Sequence, residues 1–576
     1  MSNKKLAEIF EEIASMLDLE GENRFFEVRA YRKAAMTVGT MQQEVEDIYR
    51  KGGEDALREL PGIGKAIASH IAEYYGTGKI KKYEELKRKY PVDFTGLTRI
   101  QGMGARKAFK LYKALGVKNL EDLKKAIEKH KVRDLEGFGE KSEQEIAKGI
   151  QFLSQGGGRM LLGVALPVAE AIVSQLKESG SVDEAIVAGS TRRMRETVGD
   201  LDILVISEKQ DAVEKIITGM KEVQGIIARG PTKISVILKV GLNCDFRIIE
   251  KKSFGAALQY FTGSKDHSVQ LRQIAVKKGY SLNEYQLSGK NGENIASRTE
   301  ADVYNRLGLD YIEPEMREAR GEIELALAHN LPKLIELKDI RGDLHSHANP
   351  LSGVTDKLED VVGAAMKLGY EYIGITNHSK SLYVEKGLND RQMQEFFKAV
   401  DKMNDRLDGK IRILKSAETD ILKDGTLDLG KKTLEQMDYV LAAVHANTNM
   451  GKGEMTKRVV MAIEENDVHI LGHPTGRLIN KREPIQLDLD KVFEAAKENG
   501  VAMEIDAQPD RLDLNDESVL RARKYGLKFS IDSDTHWVDQ MQLMRYGVGT
   551  ARRGWLTKGD VINSLPLEKL LKQFRK

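Results

Sequence analysis

The spacing of apolar positions changes character along the chain. In residues 1–84, Leu6, Ile9, Ile13 and Leu17 recur at helical spacing, which predicts a run of short amphipathic helices. From about 185 the pattern becomes strand-like. An apolar run from Ala185 to Ala188 ends at Gly189-Ser190, and a second, Ile203 to Ile206, starts directly after Asp200-Leu-Asp202. Ile234–Leu238 and Asn243–Ile249 read as two more strands. After residue 340, short apolar strands such as Tyr372-Ile-Gly-Ile375 and Tyr439–Val444 alternate with helix-like segments, the pattern of an α/β domain. No apolar run approaches the roughly 18 residues of a membrane span, and Met1-Ser-Asn-Lys-Lys precedes no hydrophobic stretch, so a cytoplasmic protein without membrane contact is expected.

At 576 residues the chain exceeds one hydrophobic core, and several domains are predicted. Its 31% charged and 41% hydrophobic residues are ordinary for a globular protein, and the net charge of +2 means that any nucleic-acid surface is local. A single cysteine, Cys244, excludes an internal disulfide and a cysteine-based zinc site. It is expected to be a small core residue of its strand.

The polar residues that interrupt these runs carry the chemistry. Asp200 and Asp202 are two apart on a strand and point to one face. Paired carboxylates repel unless a cation lies between them, and oxygen ligands suit Mg²⁺ or Mn²⁺. Asp245, in the strand Asn243–Ile249, is placed to join them if the two strands are neighbours. Three carboxylates then form a two-metal arrangement for in-line phosphoryl transfer. The preceding Gly189-Ser190 turn offers backbone N–H and a hydroxyl to phosphate, with Arg192, Arg193 and Arg195 nearby. A bare Asp-x-Asp is more often an acidic strand end, but Gly-Ser followed by Gly199-Asp-x-Asp between two apolar runs is far more specific.

Three Gly-x-Gly turns precede this region: Leu60-Pro-Gly62-Ile-Gly64-Lys65, Ile100-Gln-Gly102-Met-Gly104-Ala-Arg106 and Leu135-Glu-Gly137-Phe-Gly139-Glu-Lys141. Each opens a helix whose free N–H groups can hold a phosphate, and each has Lys or Arg behind it, which predicts helix-hairpin-helix grips on DNA backbone. Lys65, Lys79, Lys33 and Arg32 are candidate phosphate binders. Ser154–Arg159 reads as a flexible joint.

Of 11 histidines, seven follow residue 340. His345 and His347 share one strand face, and His378, His445, His473 and His536 mostly close short apolar strands, as do Glu418 and Asp534. Strand C-termini of an α/β barrel converge on one mouth, so eight ligand-type residues can meet there around metal ions. A lone histidine is more often structural; this repetition is not. Arg477 and Arg511 are candidates to neutralise a phosphate.

Residues 189–202, with Tyr260-Phe-Thr-Gly263-Ser-Lys-Asp-His-Ser-Val-Gln-Leu-Arg272, resemble the palm and thumb of the family X DNA polymerases, and the C-terminal stretch resembles the PHP (polymerase and histidinol phosphatase) domain. The resemblance covers nearly the whole chain. It implies a multidomain fold: a small polymerase β-like helical domain (1–84), a helix-hairpin-helix domain (85–156), an α+β nucleotidyltransferase palm (157–252), a thumb (253–318), a linker (319–340) and a distorted, β7α7-like α/β barrel (341–576). It further implies that Gly189, Ser190, Arg193 and Gly199 hold the triphosphate, that Tyr260, Phe261 and Gly263 line the sugar and base pocket, and that Arg272 touches the template. In the C-terminal site, Glu418 would bridge two ions held with His345, His347, His445, His473 and Asp534, and His378 and His536 would serve a third, the ions being Mn²⁺ or Zn²⁺.

The implied activity is gap-filling DNA synthesis in base-excision or related repair, on gapped or nicked DNA with dNTPs, by a monomer that also carries a 3′→5′ exonuclease; cleavage at apurinic sites is left open. Three departures matter. His70 stands where polymerase β has its Schiff-base lysine, so 5′-deoxyribose-phosphate lyase activity is not expected. Ser268 replaces an asparagine that contacts the incoming base. Ser352 replaces an Asp or His of the third metal site, and Asn377 an Asp. The rivals are a phosphoesterase with a vestigial polymerase and a DNA-binding scaffold without catalysis; the intact aspartates and the three hairpins favour the polymerase.

Overall fold

The structure, a computed structural model, describes residues 3–40, 45–60, 62–98, 100, 103–155, 159–350 and 355–575. Gly102, Ser352 and the centre of the glycine-rich joint, 156–158, lie outside the described residues.

The N-terminal region is helical. Asn3–Asp18 packs against Phe25–Thr40, with Val45–Arg58 and Lys65–Thr77 following. Leu6, Ile9, Ile13 and Leu17 are all buried in one core that extends through the second helical region to Ile150. The hairpin turns take the expected form. Gly64 and Gly104 are extended N-cap residues whose helices have no side-chain cap, so their first N–H groups remain free for an external anion. A Cβ at Gly64, Gly104 or Gly139 would meet no protein atom within 4 Å, so glycine here serves open access to the backbone and not internal packing.

The central sheet has five strands: β1 (Glu184–Val187), β2 (Asp200–Ile206), β3 (Val223–Arg229), β4 (Lys233–Leu238) and β5 (Asn243–Ile249), in the order β1-β2-β5-β4-β3. Only β2 and β5 are parallel, and their register sets Asp202 directly opposite Asp245. Cys244 is buried in the core of this sheet, as its strand position predicts. That core continues into Ile479, Leu512 and Tyr546 of the C-terminal region.

The C-terminal strands are all parallel: β6 (Gly342–Ser346), β7 (Tyr372–Ile375), β8 (Arg412–Lys415), β9 (Glu418–Asp420), β10 (Leu441–Ala443), β11 (Ile470–Leu471), β12 (Ala502–Asp506) and β13 (Phe529–Asp532). β8 and β9 are one chain direction broken at Ser416-Ala417, where it passes from a three-stranded to a five-stranded sheet. A bridge between Ser346 and Thr535 spans the seam between β6 and the end of β13. The result is a distorted, incompletely closed barrel whose strands are buried on both faces except at Arg412 and Lys415, which is why they read as short continuous apolar runs. No helix among the described residues is long and apolar enough to cross a membrane.

Candidate active sites

The first site sits where β2 and β5 begin. Gly189 adopts a left-handed backbone (φ +61°), and a Cβ there would lie 2.3 Å from Asp202 Oδ2, so only glycine lets the chain pass over the carboxylate. The expected Gly-Ser turn is the first turn of a short helix, Gly189–Arg192. Asp202 is pushed up to about 6 by burial and then by the charges of Asp200 and Asp245. The neighbouring charges of Asp200 and Asp245 thus add to burial in opposing the ionisation of Asp202, and a divalent cation removes that conflict.

Asp245 is held from two sides. Lys233 Nζ lies 2.6 Å from Oδ2, and Ser235 donates its hydroxyl to Oδ1 at 2.6 Å. Neither partner was apparent from the sequence, because they reach Asp245 through the cross-strand pairing of β4 with β5.

Beside the carboxylates lies a cleft of about 570 Å³ lined by Gly189, Ser190, Arg193, Asp200, Asp202, Tyr260, Phe261, Gly263 and Arg272. Gly199 is not on that lining, but a Cβ there would come within 3.3 Å of Arg159, which is. Arg159 and Lys265 are cationic lining residues that the sequence reading missed; Arg159 is anchored to Thr197 at 2.6 and 3.1 Å. Not every arginine of the turn is free for phosphate. Arg192 is spent on Glu300 (2.6 Å) and Thr262, and Arg193 pairs with Glu318 at 3.0 Å while still facing the cleft. Glu318 is shared with Arg553, which also bonds the Arg193 carbonyl at 2.7 Å, tying the cleft to the C-terminal region. The Ser268 hydroxyl is buried on the cleft wall with no hydrogen-bond partner.

Metal-free Asp202 lends itself to a stability measurement. Its folded-state value near 6 lies above the unfolded value of about 3.9, so stability falls as pH rises through that window and the loss is complete above it. The cost at pH 7 is at most about 3 kcal/mol. Asp202→Asn is expected to raise the melting temperature of chelator-treated protein at pH 7 and to leave it unchanged near pH 4. No difference at pH 7 would contradict the crowding.

The second site is at the C-terminal ends of the barrel strands. All eight ligand-type residues converge there, in overlapping groups His345/Glu418/His473, His345/His347/Asp534, His378/Glu418/His445 and His347/His378/His536, with ligand atoms within 4.8 Å of one another. Glu418 is the hub: its carboxylate lies 2.6 Å from His378, 2.7 Å from His473, 2.9 Å from His445 and 3.4 Å from His345. Although burial opposes its charge, His445 is pushed up to about 9 by Glu418 and Asp420. His473 and Asp534 hold left-handed backbones (φ +24° and +46°), a strain of about 1–3 kcal/mol each that the surrounding structure must impose. His345 Nε2, His347 Nδ1 and His473 Nδ1 are buried without a hydrogen-bond partner. Unpartnered imidazole nitrogens around a common carboxylate fit divalent metal ions.

A ring of carboxylates supports the ligands. Glu504 accepts from His345 Nδ1 at 2.6 Å and also holds the His473 amide, and Asp420 accepts the His445 amide at 3.1 Å. These orient the rings for an ion. They were missed, though Glu504 and Asp506 interrupt the apolar strand β12, and a carboxylate inside such a run is a signal for a buried partner.

Two expectations are corrected. Arg477 does not face the cluster; it is bound to Glu196 of the central domain at 2.6 Å and to the Leu512 carbonyl. Lys33 is not a solvent-facing phosphate binder: its ammonium sits 3.7 Å over the Trp537 ring, and a Cβ at Gly62 would strike its stem. Arg511 does lie at the site, 3.9 Å from Asp534 and 3.4 Å from Asp506.

A carboxylate-lined nucleotide cleft on a mixed sheet, joined to a histidine-rich barrel mouth behind helix-hairpin-helix turns, defines a polymerase β-type nucleotidyltransferase with a PHP domain. Residues 1–80 match a helix-hairpin-helix domain, 94–151 a SAM-like helix-hairpin-helix tandem, 257–318 the DNA polymerase beta thumb and 343–541 the PHP domain. The chain is 36% identical over 571 residues, 99% of its own length and 98% of the relative's, to the DNA polymerase/3'-5' exonuclease PolX of Bacillus subtilis (strain 168). It belongs to the family X DNA polymerases that carry a C-terminal PHP domain. It is also 27% identical to DNA polymerase lambda of Arabidopsis thaliana, over 55% of this chain and 62% of that one. A Leishmania infantum polymerase beta structure, a ternary P/T complex, is 22% identical with a TM-score of 0.27, covering 39% of this chain and 97% of that one.

Proposed function

We propose that this chain is a template-directed DNA polymerase that fills short gaps during repair and trims 3′ ends with its PHP domain. The observation that carries the reading is the parallel pairing that sets Asp202 opposite Asp245 beside the arginine-lined cleft. Asp200, Asp202 and Asp245 would hold two Mg²⁺ or Mn²⁺ ions, which supply charge stabilisation at the reacting phosphorus. The chain's own residues do the rest. Ser190, Arg193 and the Gly189 and Gly199 backbone bind the triphosphate; Arg159 and Lys265 add positive charge to the same cleft. Tyr260 and Phe261, edge to face at 5.1 Å, wall the sugar side, and the Phe261 ring is held under the Arg247 guanidinium. Ser268 offers its unpartnered hydroxyl to the base, and Arg272 reaches toward the template.

In the PHP domain, His345, His347, His378, Glu418, His445, His473, Asp534 and His536 would hold two or three Mn²⁺ or Zn²⁺ ions for phosphodiester hydrolysis. The substrates are gapped or nicked DNA, gripped by the backbone at Gly62, Gly64, Lys65, Gly102, Gly104, Arg106, Gly137 and Gly139, and dNTPs; the protein acts as a monomer in the cytoplasm. The test is one gel: a 5′-labelled primer at a one-nucleotide gap, with Mn²⁺, with and without nucleotides. Lengthening with nucleotides and shortening without them is expected. Shortening alone would favour a phosphoesterase with a vestigial polymerase, and no product at all a scaffold.

A further inference from the structure

The first helical domain touches the PHP domain at the barrel mouth, and the contact has an unusual composition. Helix Phe25–Thr40 brings Phe25, Phe26, Arg29 and Lys33 against the segment Tyr383–Lys386 and against Trp537. Lys33 lies 3.7 Å over the Trp537 ring, Lys386 lies 5.2 Å over Phe26 and 5.8 Å over Phe25, and Arg29 stacks 4.6 Å over Phe25. Arg29 also donates to the Val384 carbonyl at 2.7 Å and pairs with Glu385 at 3.3 Å, which fixes the helix to the PHP segment. Cations and aromatic faces thus alternate across the seam.

Both PHP elements continue directly from metal-type ligands. Trp537 follows His536, whose ring stacks on His347 at 4.2 Å. The segment 379–388 leaves from His378 and returns to it, the Leu388 amide donating to the His378 carbonyl at 2.8 Å. Phe26 meets Phe25 edge to face at 5.7 Å, yet much of the seam's apolar surface stays open: Phe26 is 76% exposed, Tyr383 86% and Val384 66%. Large apolar side chains left exposed at the rim of a catalytic mouth mark a binding surface.

A seam of exposed rings interleaved with fixed cations matches one ligand chemistry closely. Unpaired nucleotides present a π-face per base and a charge per phosphate, and base–aromatic stacking with cationic tracking is how single strands are held without sequence preference. A duplex offers no free base faces. We infer that helix Phe25–Thr40 forms one wall of the exonuclease's substrate path, so that the unpaired 3′ end of a DNA strand reaches the PHP cluster between Phe26 and Tyr383, with Lys386 beside its phosphates and Lys33 holding the Trp537 ring in the wall. The inference rests on the exonuclease reading above, and it gives the N-terminal domain a role in trimming as well as in gripping the gap.

The experiment uses the full chain with Phe26→Ala and Tyr383→Ala combined, both at exposed positions. Two quantities are measured. One is the rate of degradation of a short oligothymidylate in Mn²⁺ divided by that of the p-nitrophenyl ester of thymidine 5′-monophosphate, which occupies only the metal cluster. The other is quenching of tryptophan fluorescence by the oligothymidylate in chelator, read at Trp537; the chain's other tryptophan, Trp555, is buried in a separate core. The double variant is expected to lower the rate ratio about tenfold, through KM, and to weaken the quenching titration about tenfold, as loss of one or two stacked bases requires. An unchanged ratio with an unchanged titration overturns the inference. If the unsubstituted protein degrades neither compound but the quenching occurs and weakens in the variant, the single-strand path stands and the exonuclease reading falls.

Discussion

Asp245→Ala is expected to lower the rate of single-nucleotide insertion at a gap by at least about 10³-fold while leaving the affinity for gapped DNA within a few-fold. The size follows from what Asp245 faces. It pairs in register with Asp202, and its carboxylate is held in place by Lys233 and Ser235, so it contributes a fixed negative charge to the one spot where the three carboxylates meet. Removing one of three ligands from a two-ion site sacrifices several kcal/mol of charge stabilisation in the transition state, and each 1.36 kcal/mol is a factor of ten. DNA affinity depends on other residues, chiefly the free backbone amides of the hairpin turns, which lie in separate cores. Substrate affinity and rate therefore separate. Asp245→Ala that still extends at more than a hundredth of the normal rate would remove Asp245 from the catalytic set and, with it, the central support for a polymerase.

How much of this was readable in advance depends on whether a residue acts through its own segment or through a distant one. The carboxylate pair was legible because it opens a short apolar run and the eight barrel ligands because most of them close one, and a strand's direction carries such a residue to a predictable end of the sheet. Gly189 was legible as a turn, and its specific need, clearance for Asp202, required coordinates. Lys233, Glu504 and Asp420 were not, because each meets its partner across a sheet neighbour, and a single charged residue on a strand carries no mark of the residue it will face. Arg477 and Lys33 were misread for the same reason. A basic side chain near a motif is equally well a phosphate ligand or half of an interdomain contact, and Glu196 and Trp537, each far along the chain, decide between them.

Those distant contacts also bear on how two activities share one chain. The core of the central sheet runs on into Ile479, Leu512 and Tyr546, and the Arg193–Glu318–Arg553–Asp516 chain of charges links the nucleotide cleft to the PHP domain through buried ion pairs. Palm and PHP domain thus form one packed body, in which a shift of either requires breaking buried pairs, a cost of roughly 3–5 kcal/mol for each partner removed. A primer end moving from one site to the other must then be carried by the DNA and by the elements that grip it, which is where the seam at Phe26 and Tyr383 would act.

Glu418→Gln is the complementary expectation for the second site: exonuclease activity falls by about 10²–10³-fold, and extension at a gap is unaffected. Glu418 lies within 3.4 Å of His345, His378, His445 and His473 together, so no other residue of the cluster is as central. Glutamine keeps the size and one carbonyl oxygen but removes the charge that lets one side chain serve two cations at once, and a neutral amide is a poor ligand for the second. The change also has a signature separate from activity. In the metal-free protein Glu418 is one of the two carboxylates that push His445 up to about 9, so its neutralisation should return the His445 imidazole toward its ordinary value near 6.5, an effect read directly by NMR titration of the ring. The sign is fixed by the geometry: a lost negative charge at 2.9 Å can only favour the neutral imidazole. Both outcomes are needed. Lost degradation with an unmoved His445 titration would mean that Glu418 acts by holding the fold of the barrel mouth, and retained degradation would place the hydrolytic chemistry elsewhere in the chain.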